Sequence, residues 1–497
     1  DESLNIFDAL ILQAPNCAEA YINRGLIWLS KDFESKALSD LEKAHKIKPH
    51  FKQIWDVIIA LKMKTADFSG SVILLEGMIE NNPNDEKKYA NLALSHQQMG
   101  NFDKAIVAYK KAISLKPDFA EAYVNMGRAL NDIEKPEEAI TAYTKAISIN
   151  QSAQALNNMG IALNKLGKIE EELNSYTRAI MVEPNNSEAK ENLLGLQNQL
   201  LGTELLNKKI HEKYTENNFK TFEGPRHKVQ KIINAFLRAD FNLANKHIKN
   251  YFNSDAKLVS NLDKETRVFC TTYAFFLFKL IEDRAGLMSH LPSDKVIYNL
   301  GESHCLSFAH RKIKIGGFDH IIHPKITFGA KAFHFSNKKE SAFTAITRAN
   351  FNSLPNGSKV FLSFGEIDCR PNEGFISASK KHKKPIEDLV YDTVSGYVDW
   401  FAEQNQSKNH NLFFFNVPAS IYSEKFTAQV NEKVASTIKL FNSLLQRTVL
   451  YHNFNILDVY KFTVGQDGCS NGDFHIDGRH LSSNAISEIE EQISNFV

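Results

Sequence analysis

Ser303, Asp477 and His480 are the three residue types that together make an activated serine nucleophile. A serine hydroxyl attacks poorly until a base takes its proton. An imidazole fills that role when a carboxylate fixes its tautomer and stabilises its cationic form. Asp477 and His480 are three residues apart, about one helical turn, so one short segment leading into a helix can present both to Ser303. His475 and Asp473 lie near this pair and are read as loop-stabilising residues. Cys305 and Cys369 flank the centre and are read as small buried side chains, because no second signature of a cysteine enzyme accompanies them. His310, His320, His323 and His334 form no ligand-spaced motif, and the five cysteines form no CxxC pair. Neither a metal nor a cofactor is expected.

Those residues need a scaffold that brings distant loops together, and the pattern from Lys295 onward supplies one. Lys295 to Leu300 reads as a buried strand that runs into Gly301-Glu302-Ser303-His304. His320 to Ile326, Lys359 to Phe364, Asn411 to Val417 and Asn455 to Val459 read as further strands. Helical patterns at Glu340 to Ser353, Pro385 to Gln404, Thr427 to Arg447 and Ser482 to Asn495 separate or follow them. Such alternation implies a parallel sheet with helices on both faces. Reactive groups in such sheets collect at the carboxyl ends of the strands. Three polar clusters fall at such places: Gly301 to His304, Gly365 to Arg370, and Asp477-Gly478-Arg479-His480.

Gly-Glu-Ser at 301 to 303, Gly365 to Asp368 and Asp477-Gly-Arg-His480 resemble the blocks of the SGNH (GDSL-like) hydrolase superfamily over about residues 294 to 497. The resemblance implies a flavodoxin-like α/β/α sandwich that hydrolyses or transfers acyl groups at serine. It makes Ser303 the nucleophile and, through its backbone N–H, an oxyanion donor, with His480 the general base and Asp477 its orienting carboxylate. Gly329, in Thr-Phe-Gly-Ala, matches the second oxyanion donor, and Gly365 opens the third block on the oxyanion and substrate side. The family pattern there is Gly-x-Asn-Asp, whereas this chain reads Gly365-Glu366-Ile367-Asp368. The donating Asn is absent, and losing one such donor costs about 10²–10³ in turnover. Arg370 is the preferred substitute, and His304, next to the nucleophile, is another. Glu302 replaces the usual Asp.

The first part of the chain repeats. Tyr21, Trp55, Tyr89, Tyr123 and Leu156 are spaced 34, 34, 34 and 33 residues apart, and the mostly small Gly25, Ile59, Ala93, Gly127 and Gly160 follow four positions later. Pro49, Pro83, Pro117 and Pro184 close four of the units, as proline does by removing an N–H and clashing with the preceding turn. Each unit reads as a helix hairpin, and the array resembles tetratricopeptide repeats. Five full repeats, a truncated first one at Leu4 to Pro15 and a closing helix at 185–200 place the array at residues 1–200. Such arrays form a superhelix whose concave face binds extended peptides or other proteins. The repeating aromatic residues are read as packing residues. Residues 201–293 show helical patterns without the repeat phase, as at His227 to Leu237 and Thr266 to Leu280, and are expected to form a helical adaptor or a lid on the domain at 294–497.

Composition bounds the function. Lys+Arg 59 against Asp+Glu 58 leaves a net charge of +1, which lacks the basic footprint of a nucleic-acid binder. At 43% hydrophobic and 24% charged residues the chain can build ordinary cores. Its longest apolar run, Tyr273 to Phe278, is far short of the roughly 18 residues that cross a bilayer. Sparse, scattered cysteines read as reduced thiols, and a cytoplasmic location is expected. The truncated copy at Leu4 to Pro15 reads as the second helix of a sixth repeat, so the array is expected to begin further upstream. The expectation is therefore a repeat array joined to a serine-dependent acyl-ester hydrolase or O-acyltransferase. An acylated small molecule or glycan, with O-acetyl groups first, would be the substrate, and a protein or peptide would bind the repeats. Two rivals stay open: a non-catalytic interaction protein with a degenerate second domain, favoured by the missing Asn, and another glycan-modifying transferase.

Overall fold

The computed structural model describes residues 2–49, 51–200, 225–254, 264–283, 295–337, 339–477, 479–494 and 496. The chain packs as two compact units, Asp1–Leu163 with Glu170–Asn192, and Asn164–Ile169 with Leu193–Val497.

The first unit is a helical array. After Glu2–Gln13 come the antiparallel pairs Ala18–Ser30 and Glu34–Ile47, Trp55–Lys64 and Phe68–Asn81, Glu86–Gln98 and Phe102–Leu115, Ala120–Asp132 and Pro136–Ile149, and Ala153–Lys165 and Ile169–Val182. Local chemistry starts these helices. Asp67 accepts from Gly70 N–H at 2.9 Å, Asp85 accepts from Lys87 and Lys88, and Pro136 heads its helix where the lost N–H costs nothing. The small positions are explained by what crosses them. A Cβ on Gly127 would lie 2.6 Å from Tyr143 Cε1, and one on Gly160 would lie 2.4 Å from Tyr176 Cε1. Hydrogen alone at these positions lets the two helices of a repeat meet around a buried tyrosine. Ser187–Gln199 follows the last pair.

The second unit is built on a six-stranded sheet of order β2-β3-β1-β4-β5-β6. The strands are β1 Val296–Gly301, β2 Lys312–Ile315, β3 Phe318–Ile326, β4 Lys359–Ser363, β5 Asn411–Phe415 and β6 Asn455–Leu457. All neighbours are parallel except β2, which pairs antiparallel with β3, Lys312 opposite Ile321. The sheet is thus mixed, not wholly parallel as the alternation of strands and helices implies. β2 is hard to read in the sequence because four residues that alternate Lys and Ile give a weak signal, and because the turn at Gly316-Gly317 makes it the edge arm of a hairpin with β3.

Side chains sort by period two. Val360 and Leu362 of β4 and Leu412 and Phe414 of β5 join a core with Phe351, Val394, Phe401 and Phe441, from the helices Ala342–Asn352, Ile386–Asn405 and Ala428–Tyr451. Phe361, Phe413 and Phe415 point the other way, toward Val459, Ala485 and Ile489 of Val459–Thr463 and Ala485–Ser494. Both faces are covered, which is why the central strands are apolar at successive positions. The helices Pro225–Leu237, Phe241–Ser254 and Lys264–Glu282 share a third core with Cys305, Leu306, Ala309 and Ile326. The described parts of the expected adaptor therefore belong to the same compact unit as the sheet; the rest of 201–293 lies outside the described residues. Fully buried Arg311 ties them together by donating to the carbonyl oxygens of Leu280, at 3.2 Å, and Asp283, at 2.8 Å.

Candidate active site

The carboxyl ends of β1, β3 and β4 meet at one point. β1 runs into Glu302 and then a 3-10 turn, Ser303–Leu306. Ser303 heads that turn, so its N–H has no acceptor within it. Thr327 N–H, just after β3, donates to Gly301 O at 2.8 Å, and Ser363 Oγ of β4 donates to Asn299 Oδ1 of β1 at 3.2 Å. These cross-links fix the strand ends side by side.

The third contributor comes from far along the chain. Ile476 N–H donates to His480 O at 2.8 Å and Ser482 N–H donates to Phe474 O at 2.7 Å, closing a compact loop. Within it Asp477 Oδ1 accepts from the N–H groups of Arg479 and His480, both at 2.7 Å, and Oδ2 faces His480 Nδ1 at 2.8 Å. His480 Nε2 lies 3.0 Å from Ser303 Oγ, across a separation of 177 residues. The structure thus brings Ser303, His480 and Asp477 into one hydrogen-bonded line. With Asp477 accepting from Nδ1–H, Nε2 is left as the acceptor that faces the hydroxyl. Gly478 lies outside the described residues.

Electrostatics favour that protonation state. Burial pushes the His480 pKa down and Asp477 pulls it up, while the neighbouring His304 adds repulsion; the net direction is downward. For Asp477, burial opposes ionisation, but the His480 ring and the two backbone N–H groups overcome it and hold the pKa at about 2. A carboxylate beside a neutral imidazole is the pairing a general base needs.

A second chain of charges reaches Ser303 from the other side. A Glu302 carboxylate oxygen also lies within hydrogen-bond reach of Ser303 Oγ, where it competes with His480 Nε2 for the single hydroxyl proton, and the carboxylate pairs with His304 Nδ1. Burial disfavours both charges and each restores the other: the Glu302 carboxyl is held below the usual carboxylate range, and the His304 ring above the usual imidazole value. His304 Nε2–H is spent on Arg479 O at 3.1 Å. Beyond it, Arg370 clamps Glu366 with Nε at 3.0 and 2.9 Å and Nη2 at 2.6 Å from the two carboxylate oxygens. Carboxylate and ring atoms of Glu302, His304 and Glu366 lie within 4.8 Å of one another, the spacing of a metal site. Here, however, Arg370 and the Glu302–His304 pair already balance the charges inside the protein.

The remaining expectations fall as follows. Arg370, the preferred substitute for the missing Asn, holds Glu366 through Nε and Nη2 and reaches Glu373 through Nη1 at 3.5 Å. His304 has both ring nitrogens occupied. Gly365 sits at the end of β4 with φ +117°, and a Cβ there would lie 2.7 Å from Phe441 Cζ, so glycine is required by backbone and packing alike. Gly329, at φ +71°, lies in the turn after β3. Asp368 accepts from the N–H groups of Ala332 at 2.7 Å and Phe333 at 3.1 Å, tying that turn to the end of β4. Burial pushes its pKa up to about 7 against those two bonds. Cys305 and Cys369 are buried, and burial raises both thiols well above their ordinary pKa. His475 Nδ1 bonds Ser470 Oγ at 3.0 Å, and Asp473 N–H bonds Asn471 Oδ1 at 3.2 Å. Burial lowers His310, His323 and His334 to about 4.

Sequence reasoning missed two residues of the helix Lys264–Glu282. Phe276 stacks on the His480 ring, centroids 3.8 Å apart and planes at 16°. The Tyr273 hydroxyl faces and interacts with the Ser303 side chain. Both belong to the stretch Thr266 to Leu280, read in the sequence as part of a helical adaptor or lid with no residue assigned to the site; among the described residues no helix is long and apolar enough to cross a membrane. A small cavity of about 30 Å³ lies behind His304 and Glu366, between Asn299, Ser307, Phe415 and Leu481. It has room for one or two waters.

Comparison with known proteins bears on the array. Tetratricopeptide repeat families match residues 87–119, 120–152 and 153–186, so the chain carries tetratricopeptide repeats there. Among solved structures, the MamA protein is similar at 21% identity, covering 34% of this chain and 94% of that one, with a TM-score of 0.32. YrrB, described as a TPR protein with an unusual peptide-binding site, is similar at 17% identity over 37% of this chain and 96% of its own, TM-score 0.32. The first TPR of Spaghetti (RPAP3), solved with an HSP90 peptide, is 26% identical over 23% of this chain and 93% of its own, TM-score 0.23. A search of the curated proteins returned no match.

Proposed function

We propose that the second unit is a serine-dependent acyl-ester hydrolase or O-acyltransferase of the SGNH type, and that the tetratricopeptide repeats hold a protein or peptide partner. The observation that carries the reading is the line from Asp477 through His480 to Ser303, at 2.8 and 3.0 Å, assembled from opposite ends of a domain. Strand order supports it too. Counted among themselves, the parallel strands run 2-1-3-4-5, the flavodoxin-like order, with ligands expected where that order reverses, beside β1.

In this reading Ser303 Oγ attacks an acyl carbonyl as its proton passes to His480 Nε2, and Asp477 stabilises the imidazolium so formed. His480 then protonates the departing alkoxide. Water or a sugar hydroxyl, deprotonated by the same imidazole, releases the acyl group from Ser303. Burial, and to a smaller degree the neighbouring His304, disfavours premature protonation of His480, while Asp477 and Glu302 act in the opposite sense. O-acetylated glycans are the first substrates to test.

The test is covalent labelling. A fluorophosphonate probe should mark the wild-type chain and leave Ser303→Ala unmarked. Equal absence of label in both would favour the interaction-protein reading, for which Ile367 in place of the family Asn speaks.

A further inference from the structure

The candidates that the sequence offered to replace the missing Asn already have charged partners: Arg370 has Glu366 and, through Nη1 at 3.5 Å, Glu373, while His304 has Glu302 and the Arg479 carbonyl. Ile367 carries no polar atom. The helix Lys264–Glu282 precedes the segment that resembles the hydrolase family, yet it supplies two side chains to the centre. Phe276 lies flat against His480. Three residues earlier, on the same face of the helix, Tyr273 turns its hydroxyl to Ser303. The Tyr273 ring also packs edge-on to Phe328, at 5.5 Å and 66°. Phe328 immediately precedes Gly329. The phenol is therefore placed between the Ser303 turn and the Gly329 turn, the two segments whose backbone N–H groups the family resemblance assigns to the oxyanion.

We propose that Tyr273 is a catalytic residue of this site, its hydroxyl donating to the oxyanion in place of the absent Asn side chain. The inference rests on the acyl-transfer reading above. In the step, an Oγ lone pair of Ser303 forms the bond to the acyl carbon, and the Oγ proton moves to His480 Nε2. The carbonyl π pair moves onto oxygen, which then accepts hydrogen bonds from the Ser303 and Gly329 N–H groups and from Tyr273 O–H. Tyr273 keeps its proton throughout. When the carbonyl re-forms, the leaving alkoxide takes the proton from His480. Burial raises the Tyr273 pKa above its ordinary value, so the O–H persists wherever His480 is neutral.

Full-length wild type, Tyr273→Phe and Ser303→Ala would be compared on p-nitrophenyl acetate and against an aryl trifluoromethyl ketone, which forms a serine adduct bearing the oxyanion. Tyr273→Phe keeps the ring against Phe328 and removes one hydroxyl. The expected result is a kcat lower by about 10²–10³ with KM within about twofold, the size of effect seen when one oxyanion donor is lost. Ketone affinity should fall in step, with the unfolding temperature unchanged. A kcat within about twofold of wild type, or a loss confined to KM with ketone affinity intact, overturns the assignment while leaving the Ser303 centre standing. A wild-type chain with neither hydrolysis nor label at Ser303 overturns the acyl-transfer reading and the Tyr273 role together.

Discussion

Asp477→Asn tests the proposed centre most directly, because every lone pair that matters is accounted for. The carboxylate uses Oδ1 for two backbone N–H groups at 2.7 Å and Oδ2 for the His480 ring at 2.8 Å. Asparagine has one accepting oxygen. If that oxygen keeps the backbone pair, the amide NH₂ faces Nδ1, and the ring can bond it only as the other tautomer. The proton then sits on Nε2, pointing at Ser303 Oγ, and no base faces the hydroxyl. The corresponding change in the chymotrypsin-type triad costs about 10⁴ in kcat, or about 5 kcal/mol at roughly 1.36 kcal/mol per decade. The shared geometry leads to the same expectation here. Stability should move as well. A carboxyl held at about 2 in the fold, against 3.8 when unperturbed, contributes at most about 2.5 kcal/mol. That contribution is present above the unfolded pKa and lost as pH falls from about 4 to about 2. Ester hydrolysis gives the first number, and urea denaturation at pH 7 and below pH 4 gives the second. A variant retaining kcat within tenfold of wild type would refute the proposed role of Asp477.

Two further expectations follow from particular contacts. Because burial lowers the His480 pKa and a protonated imidazole cannot take the Ser303 proton, kcat/KM for an ester should fall on the acid side through a limb below the ordinary pH 6.5; a limb at or above that value contradicts the assignment. In the array, Gly127→Ala drives a Cβ to within 2.6 Å of the buried Tyr143 ring, and overpacking of this kind costs about 1–3 kcal/mol. Thermal unfolding of the full chain should show an earlier transition, and an unshifted one would mean the helix pair can part at no cost.

The repeat array was legible because its constraint is local and recurs. Small residues such as Gly127 and Gly160 recur opposite a tyrosine sixteen residues on, and the 34-residue period records that contact. The strands were legible from their apolar runs to within a residue or two, except for edge strand β2, whose two isoleucines make too short a pattern. Ser303, Asp477 and His480 could be named from residue types and spacing, since Asp477 and His480 are neighbours on one loop. What the sequence left undecided was how the other elements pack around that line. Glu302 and His304 keep opposite charges inside the protein, against the cost of burial, because each is the other's partner. Tyr273 sits within an aromatic run of the sort that builds helix cores, and its place beside the nucleophile depends on how Lys264–Glu282 packs over the turn after β1. Spacing along the chain fixes which side chains share a helix face or a loop. How deeply those charge pairs are buried, and what roofs the serine, is set by packing between segments far apart in sequence.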